Sequence, residues 1–286
     1  MILITGATGH LGTLVVDELL KRVPASQIVA GARSPTKASA LAARGVDVRE
    51  LDYDRPATIG AALAGVDRML LISGSEVGNR PAQHAAVIDA AKRAGVRLVA
   101  YTSVLHCEQS LMLLAAEHLA TERALRSSGL PFVLLRNGWY IENYAPGLGG
   151  AIQSGALLGA AGDGKVAPAA RRDFAEAAAV VLTTAGHENK VYELAGDRAL
   201  TLTELAAEIA RASGKPVTYR NLPQKEYATT LASFGMPIEF AEVLADSDIG
   251  IARGELDDRG GDLRRLIGRP TTPVENVIIA AVRALA

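Results

Sequence analysis

An open, doubly wound α/β sheet is the fold class this sequence predicts, and three observations predict it. Short apolar runs alternate with helical stretches throughout the first half of the 286 residues. The chain opens with MILITGATGHLG, an apolar run that enters a glycine-spaced turn and then a helical pattern. Gly45, Gly65, Gly95 and Gly129 each end a helical run just before an apolar one, as helix-terminating glycines do. Strict alternation of this kind calls for parallel strands, whose crossover connections place helices on both faces of the sheet.

Taken in order, Ile2, Leu3 and Ile4 read as a buried strand, and Leu11, Leu14, Val15 and Leu19 as the inner face of the helix after it. Residues 27–32 are the next apolar run, followed by an alanine-rich helical stretch over 34–44. A strand over 46–51 and a short helix over 57–63 come next. Residues 68–73, 97–102 and 131–136 (RMLLIS, RLVAYT, PFVLLR) are further buried strands, separated by helices over 81–94 and 111–127. After about residue 137 the rhythm breaks. The stretch GLGGAIQSGALLGAAGDGK is glycine-rich, 190–194 (KVYEL) reads as one late strand able to rejoin the sheet, and helices follow over 203–213, 224–234, 238–248 and 274–286. Thr201 with Glu204 forms a capping-box pattern at the first of these. The expected division is a Rossmann domain over 1–150 and a smaller, mostly helical substrate domain over 151–286 that covers the carboxyl edge of the sheet, where ligands of such folds bind.

Gly6, Gly9 and Gly12 are spaced GxxGxxG between the first strand and the first helix. The first permits a tight turn, the second lets backbone approach a phosphate, and the third lets helix and strand pack closely. Free N–H groups and the positive dipole end of the helix then face an anion, so the chain is expected to bind a dinucleotide. A site for unphosphorylated dinucleotide usually places an acid about 20 residues beyond the glycines, on the ribose 2′-hydroxyl. Here that place holds Arg33, with Lys37 a helical turn on. A guanidinium grips a 2′-phosphate that a carboxylate would repel, so NADP(H) is the expected cofactor. Asp52, after the third strand, has two open roles: accepting from an adenine amino group or capping the next helix. Small or polar residues end the later strands: Ser73, Gly74 and Ser75, then Thr102 and Ser103, then Asn137 and Gly138. Trp139, Tyr140 and Tyr144 follow, making this last loop the most aromatic place in the chain and either the lining of a planar-ligand pocket or a hydrophobic plug.

Composition excludes other classes. With 49% hydrophobic and 21% charged residues the chain is expected to fold compactly, and a net charge of −1 lacks the footprint of a nucleic-acid binder. A single cysteine, Cys107, rules out an internal disulfide and suits a reducing compartment. Apolar runs fall short of the roughly 20 residues of a membrane span, and the first strand leaves no room for a signal peptide, so a cytoplasmic location is expected. No HExxH, paired CxxC or GxSxG occurs and the histidines are scattered, so neither a metal site nor an acyl-transfer nucleophile is expected.

GATGHLG, SGSEVGNRPAQH, AYTSVLH, LLRNGWYIENY, GAAGDGK and KVYELAGD together resemble the type 2 NAD(P)H:quinone oxidoreductases, in the NmrA-like branch of atypical short-chain dehydrogenases. The triphenylmethane-dye reductases are a near relation. The resemblance implies that NADP(H) is contacted by Gly6, Ala7, Thr8, Gly9, His10 and Leu11, by Arg33, by Ser73, Gly74 and Ser75, and by Asn137, Gly138, Trp139, Tyr140, Ile141 and Glu142. It also implies that Ala169, Ala170, Arg171, Arg172, Asp173, Phe174 and Ala175 fold back over cofactor and substrate. His10 stands where related sequences often carry glutamine. None of the seven tyrosines has a lysine four residues on, so the YxxxK pair that ordinary short-chain dehydrogenases use to deliver a proton is absent. A quinone needs less help, because accepting a hydride leaves a delocalised hydroquinone anion. The implied reaction is two-electron hydride transfer from NADPH to a quinone, without flavin or metal, with Tyr140 or Asn137 as the donor nearest the quinone oxygen. An NADP-sensing regulator without turnover, and a reductase of another conjugated acceptor such as a dye, remain alternatives. The assembly is left open between monomer and homodimer.

Overall fold

The computed structural model describes residues 1–74, 76 and 78–285. The chain begins with β1 (Ile2–Ile4), α1 (His10–Leu20) and β2 (Ile28–Ala32). Next come α2 (Ser39–Ala42), β3 (Asp47–Glu50), α3 (Pro56–Ala62) and β4 (Arg68–Leu71). Then follow α4 (Arg80–Arg93), β5 (Leu98–Val104), α5 (Leu113–Ser128) and β6 (Phe132–Asn137). Each predicted strand of this half is present. The expected helical stretch over 34–44 is instead a 3-10 turn, Pro35–Ala38, and the one-turn α2.

The rest of the chain runs α6 (Leu148–Ser154), β7 (Ala156–Gly159), β8 (Lys165–Val166), α7 (Arg171–Thr183) and β9 (Lys190–Leu194). It finishes with β10 (Leu200–Thr201), α8 (Leu202–Ser213), β11 (Thr218–Asn221), α9 (Gln224–Ser233), α10 (Ile238–Ala252), α11 (Asp262–Ile267) and α12 (Val274–Arg283). The α8 capping box is real: Thr201 Oγ1 accepts the Glu204 amide at 3.1 Å, and Glu204 Oε2 accepts the Thr201 amide at 2.7 Å.

Two compact units form from interleaved segments. One comprises Met1–Val104, Glu117–Asn137 and Arg172–Tyr192, and the other Leu105–Ala116, Gly138–Arg171 and Glu193–Ala286. The first is built on a seven-stranded sheet ordered β3-β2-β1-β4-β5-β6-β9. Pairings from β3 through to β6 are all parallel, and β9 extends the sheet beyond β6. The order reverses direction at β1, and that switch point is where a doubly wound sheet opens a crevice beyond its strand ends. Leu3, Val29, Ile59, Met69, Val87, Tyr101 and Leu134 pack into one buried cluster. Burying each large apolar side chain contributes about 1.5–3 kcal/mol, which holds the strand ends in fixed register.

The second unit is mostly helical. Its two small sheets are the parallel β11–β7 pair and the antiparallel β10–β8 pair. No helix among the described residues is long and apolar enough to cross a membrane.

Candidate cofactor and acceptor site

The turn after β1 is built for close approach. Gly6 takes φ +57°, a left-handed conformation that suits glycine. A Cβ on Gly12 would lie 2.2 Å from the Gly6 carbonyl oxygen and 2.7 Å from Ala7 Cα, so only glycine fits there. The turn is fixed by Ala7 N–H donating to the Gly31 carbonyl at 3.0 Å, Gly9 N–H to that of Gly6 at 2.9 Å, and Thr13 Oγ1 to that of Ala7 at 3.2 Å. Gly9 precedes α1 with no side-chain cap, and no acidic residue stands in the first turn. Gly6, Thr8, Gly9 and His10 are exposed, Ala7 and Leu11 buried. An uncapped, carboxylate-free helix start behind exposed glycines fits a dinucleotide pyrophosphate.

Arg33 follows β2 with a mostly exposed side chain, its Nη1 3.3 Å from Glu76 Oε1. Gln83 Nε2 donates to Glu76 Oε2 at 3.0 Å and to Asp54 Oδ1 at 2.9 Å. Asp52 is occupied locally, accepting from the Asp54 amide at 3.2 Å and from Arg55 Nε at 3.0 Å. Desolvation pushes its pKa up, but these bonds and the charges of Arg55 and Arg33 outweigh it and hold the carboxyl below its usual range. Asp52 does not cap α3, whose N-cap is Arg55 without a side-chain cap; its carboxylate instead braces the turn before that helix.

Beyond β4, Ser73 N–H donates to Thr102 Oγ1 at 2.9 Å. Gly74 is held on both sides: its N–H donates to His84 Nε2 at 3.1 Å, and its carbonyl accepts from Arg80 Nε at 2.8 Å. Arg80 Nη1 reaches Glu117 Oε2 at 2.6 Å, and Glu117 Oε1 also accepts the Gly78 amide. Burial, with the Arg80 charge behind it, pushes His84 down to about 3. The ring is therefore neutral. Since Nε2 accepts from Gly74, Nδ1 carries the hydrogen and donates to Thr121 Oγ1 at 3.0 Å. Ser75 lies outside the described residues.

Asn137 is buried at the end of β6. In the second unit Gly138 N–H donates to the Leu194 carbonyl at 2.8 Å, and a Cβ there would stand 3.0 Å from that oxygen. Ala169 stitches the loop together: its N–H donates to the Trp139 carbonyl at 3.0 Å, and its carbonyl accepts the Ile141 N–H at 3.1 Å. Both Glu142 carboxylate oxygens lie 3.0 Å from the Arg171 amide nitrogen, and the Arg171 guanidinium stacks over the Tyr140 ring at 4.8 Å. The structure thus brings residues 139–142 and 169–171 together. Ala170 is buried beside them, whereas Asp173, Phe174 and Ala175 are buried in α7, and Arg172 Nε pairs with Glu18 at 3.3 Å. Cys107 is a buried thiol that donates to the Ala115 carbonyl at 3.7 Å.

A family described as NAD(P)H-binding matches residues 6–185. The chain belongs to that family. Within the NAD(P)H-binding family it is similar to quinone oxidoreductase 2 of Escherichia coli, 56% identical over 272 residues and 95% of each chain. The crystal structure of that NADPH-dependent quinone oxidoreductase complexed with NADPH superposes with a TM-score of 0.95 at 55% identity, over 97% of this chain and 98% of that one. The Citrobacter sp. triphenylmethane reductase complexed with NADP(H) gives a TM-score of 0.94 at 43% identity, over 98% of this chain and 100% of that one. An NmrA-like family domain-containing oxidoreductase of Aspergillus flavus is 32% identical over 96% of this chain and 93% of its own length, which places the chain in the NmrA-like branch. The expected family, Rossmann fold and NADP(H) cofactor all stand.

Sequence reasoning missed Arg80, His84 and Glu117, which hold the loop after β4. SEVGNRPAQH was singled out as a motif, but no periodicity reveals that Glu117, on another helix, closes it.

Proposed function

We propose that this protein is an NADPH-dependent quinone reductase, transferring two electrons as a hydride to make a hydroquinone. The likeness to quinone oxidoreductase 2 over nearly the whole of both chains carries the reading. The site chemistry supports it, with Arg33 where a 2′-phosphate would be gripped and no YxxxK pair for ordinary carbonyl reduction.

NADPH supplies the hydride when bound. The exposed turn from Gly6 to His10 binds the pyrophosphate through backbone N–H groups. Arg33 binds the 2′-phosphate. Ser73 and Gly74 accommodate the cofactor's sugars, the latter set in place by His84 and Arg80. Asn137 and the loop through Glu142 orient the nicotinamide end, with Tyr140 and Asn137 as donors toward the acceptor. Arg171, stacked on Tyr140, fixes that ring, and Ala169 pins the loop's backbone. The acceptor would take up one hydride from NADPH and one proton, giving the hydroquinone.

Loss of nicotinamide absorbance on adding a simple benzoquinone tests the reading. Steady, enzyme-dependent consumption of NADPH supports it. Saturable NADPH binding without consumption supports a sensor instead. The likeness to triphenylmethane reductase favours one further acceptor class, and a triarylmethyl dye in the same assay reports on it.

A further inference from the structure

The loop after β6 contains two enclosed hydrogen-bond donors that the fold leaves unused. The Trp139 indole Nε1 and the Tyr144 hydroxyl are both buried, and neither has a hydrogen-bond partner among the described residues. The indole N–H is near enough to the phenol oxygen to lower the phenol's pKa as a hydrogen-bonding neighbour does, but no bond of full length and angle joins the two. Folded proteins rarely leave buried donors unmatched, because desolvating them without an acceptor is costly. Two of them five residues apart on one short loop mark a place where stability has been given up for something else.

The surroundings narrow what that is. Asp248 on α10 is buried, and its Oδ2 accepts the Ala160 amide at 2.7 Å. Tyr219 accepts the Ala161 amide at 3.0 Å and donates to Asn221 Oδ1 at 2.8 Å. Burial pushes the Tyr144 phenol well above its ordinary pKa, and Asp248, Tyr227 and Tyr219 push it further. Tyr144 therefore stays protonated at any physiological pH and keeps its hydrogen available to donate. The ionisable side chains that act on it most strongly, Asp248, Tyr227 and Tyr219, are acidic or phenolic. An anionic ligand would meet Asp248 unfavourably. A neutral carbonyl oxygen on an otherwise apolar, planar molecule suits two neutral donors.

We propose that Trp139 Nε1–H and Tyr144 Oη–H together bind one carbonyl oxygen of the quinone. This assignment rests on the quinone-reductase reading and adds a pair of donors to Tyr140 and Asn137. Bound NADPH would supply a hydride and become NADP⁺, and the quinone that accepts it would gather negative charge on an oxygen. The two fixed donors stabilise that charge where it forms. Tyr144 keeps its proton, and the hydroquinone oxygen takes its own from solvent.

Tyr144→Phe and Trp139→Phe each remove one donor. With saturating NADPH, kcat/KM for a benzoquinone is expected to fall on the order of tenfold to a hundredfold in each, while in Tyr144→Phe, outside the cofactor contacts, the KM for NADPH stays within about twofold and the thermal midpoint holds or rises. Wild-type kcat/KM in both variants, or a lowered midpoint with lost NADPH binding, overturns the assignment. Because Trp139 is the only tryptophan, its emission gives a second readout that needs no turnover. Titrating 1,4-naphthoquinone without NADPH should quench wild type saturably and Tyr144→Phe only at clearly higher concentration. If wild type binds the quinone this way but consumes no NADPH, the quinone-reductase reading fails and the oxygen site stands. If wild type shows no saturable quench, the oxygen site fails.

Discussion

The neutral imidazole of His84 accepts the backbone N–H of Gly74 at 3.1 Å, while Arg80 donates to the carbonyl of that same glycine at 2.8 Å. One residue of the loop after β4 is thereby gripped from both ends by a single helix, α4. Replacing His84 by Leu leaves that N–H and Thr121 without their partner, a loss of about 1–3 kcal/mol for a buried group. The expected outcome is a severalfold higher KM for NADPH with kcat for the quinone nearly unchanged.

The same histidine sets a pH dependence. Its pKa falls from 6.5 unfolded to about 3 folded, through burial first and the Arg80 charge second. The folded state therefore resists the proton that the unfolded chain takes up. Stability from this residue is complete above 6.5 and declines by about 1.4 kcal/mol per pH unit as pH falls toward the folded value. Urea midpoints between pH 7 and pH 4 should fall more steeply for wild type than for His84→Leu.

Gly12 packs where a methyl group has nowhere to go, 2.2 Å from the Gly6 carbonyl oxygen and against backbone rather than a side chain. Gly12→Ala must push the turn open, a strain of about 1–3 kcal/mol for overpacking. NADPH affinity, measured by titration, should drop at least tenfold even where circular dichroism stays native.

Asp248 works in the opposite sense to His84. Burial raises its pKa from 3.8 to about 6, partly offset by the Ala160 amide. A carboxyl that prefers its proton when folded stabilises fully below 3.8, and that contribution is lost as pH rises through about 6. The loss amounts to roughly 3 kcal/mol. Asp248→Asn retains an oxygen for the Ala160 N–H and does not ionise. It should match wild type near pH 4, gain on it up to pH 6 and stay ahead by a constant margin above, as read from denaturant midpoints.

Where the fold could be read from residues, the signal was local. β1, the glycine turn and α1 announce themselves through an apolar run, glycine spacing and helical period within twenty residues. β7 and β11 did not. Ala156–Gly159 lies in a glycine-rich run and Thr218–Asn221 is largely exposed, so their parallel pairing across sixty residues left no periodic trace. α7 escaped because RRDFAEAAAVVLT buries so much of its surface that no polar face repeats clearly. In the site, Arg33 was legible from its distance to the glycines, whereas the Arg80–Glu117 contact and the unpartnered donors of Trp139 and Tyr144 exist only once distant segments meet.

Glu76 stands beside Arg33 as a competitor for the charge a 2′-phosphate needs, 3.3 Å from its Nη1. Arg33 is mostly and Glu76 partly in solvent, so the pair is worth at most about 1 kcal/mol and fades with salt. Glu76→Gln should tighten NADPH binding up to about fivefold at low ionic strength, leave NADH unchanged, and lose its advantage at high salt.

Equilibrium titration of wild type and Arg33→Ala with NADPH and with NADH decides whether a guanidinium at the end of β2 selects the phosphorylated cofactor. Charge-assisted hydrogen bonds to phosphate contribute about 1.5–3 kcal/mol, so the variant should bind NADPH roughly ten- to a hundredfold more weakly while its NADH affinity is unaltered. An unchanged ratio of the two affinities would place cofactor selection elsewhere in the protein.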